Sequence, residues 1–187
     1  MTQDRLTAGF ETYLSSTERE ALGLYRKAGD DHYRAYVGPA WRYDLLAALQ
    51  FQAMTSLGLR EYHSLLDVGC GSLRVGRLFI PYLLRGRYFG IEPNRAILKA
   101  GLREHFGVRW WHGGVLAAKR PHFDHNSRFD FLCFGQRFDF ILAQSIISHT
   151  GPDQLTAFFG GCAAVLGPHG KAFVTFVAGE KDCHKPG

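Results

Sequence analysis

Apolar positions change their spacing once along this chain, near residue 63. Before that point they recur with helical period: between about Pro39 and Leu57, the residues Leu45, Leu46, Leu49, Gln50, Ala53 and Met54 form a stripe, and Gly58 stands where the helix should end. Further upstream, Ser16 or Thr17 can cap another helix, with Glu18 and Glu20 in its first turn, where negative charge suits the helix dipole. The first 60 residues therefore read as helical, with an unusual density of aromatic side chains (Tyr33, Tyr36, Trp41, Tyr43) that core packing or the covering of a ligand would explain.

From His63 onward, continuous apolar runs alternate with amphipathic ones. His63–Val68 is apolar without alternation, as expected of a strand buried on both faces. Val75, Leu78, Phe79, Tyr82 and Leu83 then line one helix face, which Pro81 should kink or shorten because it lacks a backbone donor. Arg87–Ile91 predicts a second strand and Arg95 to about His105 another helix; Val108–Arg120 has no regular period, with Trp110-Trp111 and Gly113-Gly114 inside it. Pro121–His125 and Phe138–Ala143 predict the third and fourth strands. A helix should start at Pro152, carry Leu155, Phe158, Phe159, Cys162, Val165 and Leu166 inward, and stop at Gly167-Pro168, before a fifth strand at Lys171–Val177.

Strands alternating with helices predict an α/β fold: a doubly wound, mostly parallel, Rossmann-like sheet with right-handed crossovers. The expected organisation is an N-terminal helical cap over residues 1–60 and an α/β core over residues 61–187, forming one compact domain. At 187 residues the chain can bury a sizeable core. No apolar run approaches the length of a membrane span, and Met1-Thr2-Gln3-Asp4-Arg5-Leu6-Thr7 lacks the apolar centre of a secretion signal, so a cytoplasmic location is expected. Cys70, Cys133, Cys162 and Cys183 form no paired motif and read as reduced thiols; the neighbours Cys183-His184 alone make a poor metal site. The net charge of +5 concentrates between Arg74 and Arg137. Solvated helix faces account for it, and no run of consecutive basic residues points to nucleic acid.

The chemistry concentrates in Leu65-Leu66-Asp67-Val68-Gly69-Cys70-Gly71-Ser72-Leu73-Arg74-Val75-Gly76, where a buried strand passes through a glycine turn into a helix. Two glycines at this spacing fit a ligand-binding loop or a bare tight turn equally well. Glu92, at the end of the second strand, tips the reading: a carboxylate there can accept hydrogen bonds from both hydroxyls of a ribose, and Pro93 keeps it extended. A dinucleotide fingerprint would place its third glycine at position 74, where this chain has Arg74. Asp67 puts negative charge at the turn, which suits an ammonium or sulfonium group better than a pyrophosphate.

Asp67-Val68-Gly69-Cys70-Gly71 resembles the first motif of class I S-adenosylmethionine-dependent methyltransferases, and Glu92 is similar to their acidic ribose-binding position. The resemblance spans roughly His63 to Val177, with the first 60 residues similar to the family's variable cap. It implies S-adenosylmethionine as cofactor, held by Asp67, Gly69, Cys70, Gly71, Glu92, Asp130 and Gln144, with no metal. Gly69 and Gly71 would line the methionine portion, Asp67 would anchor the loop or the amino group, and Asp130 would contact adenine. Gln144-Ser145 stand where the family faces the transferable methyl, without the Asn-Pro-Pro-Tyr pattern of nucleic-acid amino methylases. His149 is the candidate base, with His32 and Tyr36 behind it; packing or helix capping is the more ordinary use of such a histidine.

Two features depart from the family. Leu73 stands where many members have a third glycine, and the chain ends too soon after strand five for the usual antiparallel hairpin. Strand five would then be an exposed edge, open to self-association or to a partner chain. The resemblance implies methyl transfer to a small-molecule oxygen or nitrogen acceptor, without nucleic acid or membrane. The alternative is a non-catalytic or truncated cofactor-binding domain that needs a partner chain.

Overall fold

The computed structural model describes residues 13–107 and 114–176, and of His149 only the backbone. Trp110-Trp111, Gly113, Val177, Cys183-His184 and the segment that would follow strand five lie outside the described residues.

Helix α1 spans Ser16–Ala21. Its cap is Ser15, one residue earlier than the expected Ser16 or Thr17. The Ser15 hydroxyl accepts from the Glu18 N–H at 3.3 Å while the Glu18 carboxylate accepts from the Ser15 N–H at 2.8 Å, a reciprocal capping box. Residues 22–39 are a run of turns rather than helix, a correction to the all-helical reading of this region. A short 3-10 turn, Ala40–Arg42, leads into α2, Tyr43–Ser56, which ends ahead of Gly58 (φ +104°).

The inward face of α2 is rotated from the expected stripe. Tyr43, Ala47, Gln50 and Met54 are buried, whereas Leu45 and Leu49 are 52% and 50% exposed. Tyr43 sets that rotation: its hydroxyl donates to the Ser72 carbonyl at 3.1 Å and shares a 2.8 Å hydrogen bond with His105 Nε2.

The remaining elements are β1 (Leu65–Val68), α3 (Gly76–Tyr82), β2 (Tyr88–Ile91), α4 (Arg95–Phe106), α5 (Gly114–Lys119), β3 (His122–Asp124), a 3-10 turn (Phe131–Phe134), β4 (Phe138–Ala143), a second (Ile147–His149), α6 (Pro152–Val165) and β5 (Leu166–Val174). Pro81 sits inside α3, one residue from its end. The strand order is β3-β2-β1-β4-β5 and every pair is parallel. β5 begins at Leu166, before the Gly167-Pro168 expected to precede it. Its pairing with β4 is irregular between Phe138 and Phe140, and such a bulge on an edge strand is where a proline without a donor can sit. Among the described residues β5 has β4 as its sole strand neighbour.

Alternation along β1 and β2 divides the core into two layers. Leu65 and Tyr88 face Met54, Phe79, Ile80, Leu83, Leu98 and Leu102, from α2, α3 and α4 and the end of α3. Leu66, Val68, Phe89 and Ile91 face Phe131, Phe158, Cys162 and Val165. Both faces of the sheet are covered, which is why its central strands carry no polar alternation. The chain leaves β1 toward β2 on one side and β4 on the other, so a crevice opens at the carboxyl ends of β1 and β4. Among the described residues no helix is long and apolar enough to cross a membrane.

Candidate functional site

The loop after β1 is held open by its glycines. Gly69 (φ +70°) and Gly71 (φ +54°) adopt the left-handed conformation, and a Cβ at either would lie 2.1 Å from Ile146 Cδ1 or 2.6 Å from Val37 Cγ1. Side chains here would be both strained and obstructed. The Gly69 and Cys70 N–H groups donate to the Ile91 carbonyl at 2.8 and 3.0 Å, tying the loop to the end of β2. Leu73 is also left-handed (φ +62°), although its side chain is wholly buried. The backbone thus keeps, with a leucine, the conformation that a glycine would adopt without strain.

Glu92 faces this loop from the end of β2 and is 8% exposed. Its Oε2 accepts from the Gly71 N–H at 2.9 Å and its Oε1 from the Asn94 N–H at 2.8 Å. Each oxygen retains a second lone pair. Burial raises the carboxyl pKa above its ordinary value, and those two amides pull it back. Asn94 also caps α4 through Oδ1 and donates from Nδ2 to the Tyr36 hydroxyl at 2.9 Å.

Asp67, near the end of β1, is 3% exposed and accepts from the Tyr88 hydroxyl at 2.7 Å. Burial pushes its pKa up to about 6, against the opposing pull of Tyr88 and of Arg74. Gly76 makes the Tyr88 contact possible, because a Cβ there would lie 2.6 Å from that hydroxyl. Arg74 donates from Nη1 to the Val37 carbonyl at 2.7 Å, while its buried Nε has no partner among the described residues. Burial lowers the guanidinium pKa.

These groups surround a cavity of about 490 Å³. Asp67, Gly69, Cys70, Gly71, Glu92 and Gln144 all line it, together with Ala28, Gly29, Tyr36, Val37 and Gly38 from the N-terminal segment, Gln50 from α2, Arg74, Val75, Ser145 and Ile146. Ser145, two residues after the end of β4, is left-handed (φ +59°) and donates its N–H to Thr175 Oγ1 at 2.8 Å. Cys70 contributes as loop backbone: its thiol is buried, and burial beside Asp67 and Glu92 holds it well above the ordinary thiol pKa, so it is no nucleophile.

Asp130 is not brought to the cavity. It is exposed, its N–H donates to Asn126 Oδ1 at 3.0 Å and its carbonyl accepts from Asn126 Nδ2 at 3.0 Å, so residues 126–130 close on themselves as a separate turn. His149 ends the 3-10 turn beyond β4, and its side chain lies outside the described residues. Among the described residues no cluster of three His, Cys, Asp or Glu side chains could hold a metal ion.

Of the N-terminal lining the sequence reading offered Tyr36 alone, and it missed Gln50, Arg74, Ala28, Gly29, Val37 and Gly38. Gln50 carried a signal, as the one amide within the apolar stripe of α2. Arg74 carried another, as a charge two residues ahead of α3.

Residues 66–172, more than half of the chain, match a family described as "Methyltransferase domain". The chain belongs to that methyltransferase family. No curated protein matches the sequence. Among solved structures the methyltransferase domain is similar in fold to the glycopeptide N-methyltransferase MtfA, at 15% identity and a TM-score of 0.54, covering 67% of this chain and 51% of that one. It is also similar to magnesium protoporphyrin IX methyltransferase from Synechocystis, solved with SAM bound, at 11% identity and a TM-score of 0.54, covering 88% and 73%. A third is the precorrin 8W decarboxylase of Methanobacterium thermoautotrophicum, at 16% identity, a TM-score of 0.51, and coverage of 70% and 63%. The methyltransferase domain described here therefore spans about half to three-quarters of the length of these structures.

Proposed function

We propose that this methyltransferase domain transfers a methyl group from S-adenosylmethionine to an oxygen or nitrogen of a small-molecule acceptor. One observation carries the reading: a buried carboxylate, Glu92, and a loop whose two glycines are left-handed and closely packed meet across one cavity at the β1–β4 switch point.

The residues fit the cofactor. Glu92 presents its remaining lone pairs where the two hydroxyls of a ribose would bind, and Gly71 and Asn94 fix its orientation. Asp67 supplies negative charge for an ammonium or sulfonium. Gly69 and Gly71 allow the ligand to approach the backbone, and a buried amide on Gln50 waits unpartnered on the same wall. When bound, S-adenosylmethionine supplies a methyl carbon already activated by its sulfonium. The protein's task is to position the reacting atoms and exclude water. Gln144, Ser145 and Ile146 form the wall on which the acceptor would rest. His149, at the end of the turn after β4, is the proposed proton acceptor for substrates that must lose a proton. Asp130 has no part in this reading.

A small-molecule acceptor is supported by the sequence after β4, Gln144-Ser145-Ile146-Ile147, which lacks the Asn-Pro-Pro-Tyr pattern. It is supported too by the glycopeptide and the porphyrin in the names of two fold neighbours.

Titration calorimetry with S-adenosylhomocysteine tests the proposal. The wild type should bind, NAD should give no heat, and Glu92→Gln, which keeps one acceptor for the Gly71 N–H, should weaken binding about 10- to 100-fold. A folded wild type that gives no heat with S-adenosylhomocysteine, or a Glu92→Gln variant that binds it as tightly, would defeat the reading.

A further inference from the structure

Solvated helix faces do not account for all of the excess positive charge. Arg85 and Arg87 stand in the turn before β2 and Arg120 just before β3, and all three are exposed. The Gly86 N–H donates to the Lys119 carbonyl at 2.7 Å, so each of these arginines lies one residue from a single hydrogen bond. None of their guanidinium groups has a hydrogen bond or ion pair among the described residues. Every strand pair is parallel, so the strand entries share one end of the sheet, opposite the cavity.

Other charges at these entries are committed. Lys119 Nζ donates to the Leu83 carbonyl at 2.7 Å, Arg60 Nη1 to the Thr55 and Leu59 carbonyls at 2.8 Å, and Arg137 Nη1 to the Leu166 carbonyl at 3.1 Å. Asp139 accepts from the Ser64 N–H and hydroxyl at 2.8 and 2.9 Å. Glu61 is left as a lone carboxylate beside three guanidinium groups, and its backbone carbonyl accepts from the Leu84 N–H at 2.7 Å. That bond draws residues 60–62 against the turn that carries Arg85 and Arg87. Two large side chains are bared there, Tyr62 at 55% and Leu84 at 51% exposure.

We propose that this end of the sheet docks an acidic, partly apolar segment of another protein. Its carboxylates would pair with Arg85, Arg87 and Arg120, whose planar forks match a carboxylate's two oxygens. An apolar side chain between them would pack on Tyr62 and Leu84, giving the mixture of arginine, aromatic and aliphatic contacts typical of protein interfaces. Nucleic acid fits less well: three uncommitted cations fall short of the roughly 6–10 phosphate contacts of strong binders, and a phosphodiester backbone makes no use of Leu84. The surface is independent of the cofactor reading, because it lies at the opposite ends of the strands.

Fluorescence anisotropy at low salt tests the surface with a labelled peptide in which glutamates flank two central leucines. The wild type should bind it about 5-fold more tightly than the same peptide with glycines in place of the leucines. Arg87→Gln with Arg120→Gln should weaken binding at least about 10-fold. Arg103→Gln with Arg128→Gln removes the same charge from α4 and the 126–130 turn, and should stay within about twofold. Melting temperatures should agree within about 4 °C, since all four side chains are exposed. Arg85→Gln repeats the test with a single substitution, at a loss of about threefold or more. Equal losses in the two double variants would overturn the surface, as would equal binding of the leucine and glycine peptides. So would a wild type that ignores the peptide, or one that prefers single-stranded RNA of the same length or phosphatidylserine vesicles.

Discussion

Two ionisable side chains on the α2–α4 side of the sheet, Asp67 and His105, are held away from their ordinary ionisation by burial, in opposite senses for stability. Burial lifts the Asp67 pKa from 3.8 to about 6, so the folded protein binds more protons than the unfolded chain between those values, and this group's contribution falls as pH rises through the window. The shift corresponds to roughly 3 kcal/mol across the window, and Glu92, raised by burial as well, adds in the same direction. His105 is lowered from 6.5 to about 4 by burial and by the Arg77 and Arg34 charges, so its contribution is present above the upper value and lost as pH falls toward the lower. In the wild type the two slopes oppose each other. Denaturant melts between about pH 4 and 7 should show stability rising more steeply with pH in Asp67→Asn than in the wild type. In His105→Gln it should fall relative to the wild type over the same range. Parallel pH curves for the three proteins would refute this assignment. The glycines and Glu92 were legible in the sequence because their chemistry is local, a turn conformation and a strand terminus. Asp130 stands apart from the cavity wall, in a turn where Asn126 holds its backbone, because a carboxylate ahead of a strand looks the same in sequence whether its segment lies along the cavity or closes on itself.

At the scale of elements, hydrophobic spacing located the five strands and the main helices but not the rotation of α2. The expected stripe and the buried face share Gln50 and Met54, and differ in whether Leu45 and Leu49 or Tyr43 and Ala47 complete it. The choice between them is made by a contact with no signature in local spacing, the Tyr43 hydroxyl on Ser72 and His105. The start of β5 was hidden for a similar reason: Gly167-Pro168 reads as a break, yet strand pairing to β4 carries the chain through it with a bulge. The rotation of α2 has a measurable consequence. Met54 is fully buried and touches the α3 side of the core, so Met54→Ala should cost about 2–5 kcal/mol. Leu49→Gln, on the half-exposed face, should stay within about 0.5 kcal/mol of the wild type. Comparable losses for the two, in urea melts, would return α2 to the orientation expected from its leucines.

For the molecule as a whole, the alternation of strands and helices implied a crevice at the β1–β4 switch point, and the acidic and glycine residues found there were read from it. What spacing could not reach is that a run of turns, residues 22–39, comes back over that crevice. Its anchors are long-range and polar: Arg74 to the Val37 carbonyl, Asn94 to the Tyr36 hydroxyl, and Arg34 to Asp44 at 2.7 Å. Ala28, Gly29, Tyr36, Val37 and Gly38 thereby become cavity wall, next to the exposed Arg26 and Lys27. A ligand in the cavity should hold this segment closed. Tryptic cleavage after Arg26 or Lys27 requires the segment to lift from the core, and a ligand at 100 times its dissociation constant stabilises the closed form by about 2.7 kcal/mol. Saturating S-adenosylhomocysteine should therefore slow cleavage there about 100-fold, provided opening and reclosing are fast relative to cleavage. Cleavage after Arg128, in the turn held by Asn126 away from the cavity, should change far less in the same digest. Equal rates at the first two sites with and without ligand, once calorimetry has shown the ligand bound, would mean that residues 28–38 cover the cavity without taking part in binding.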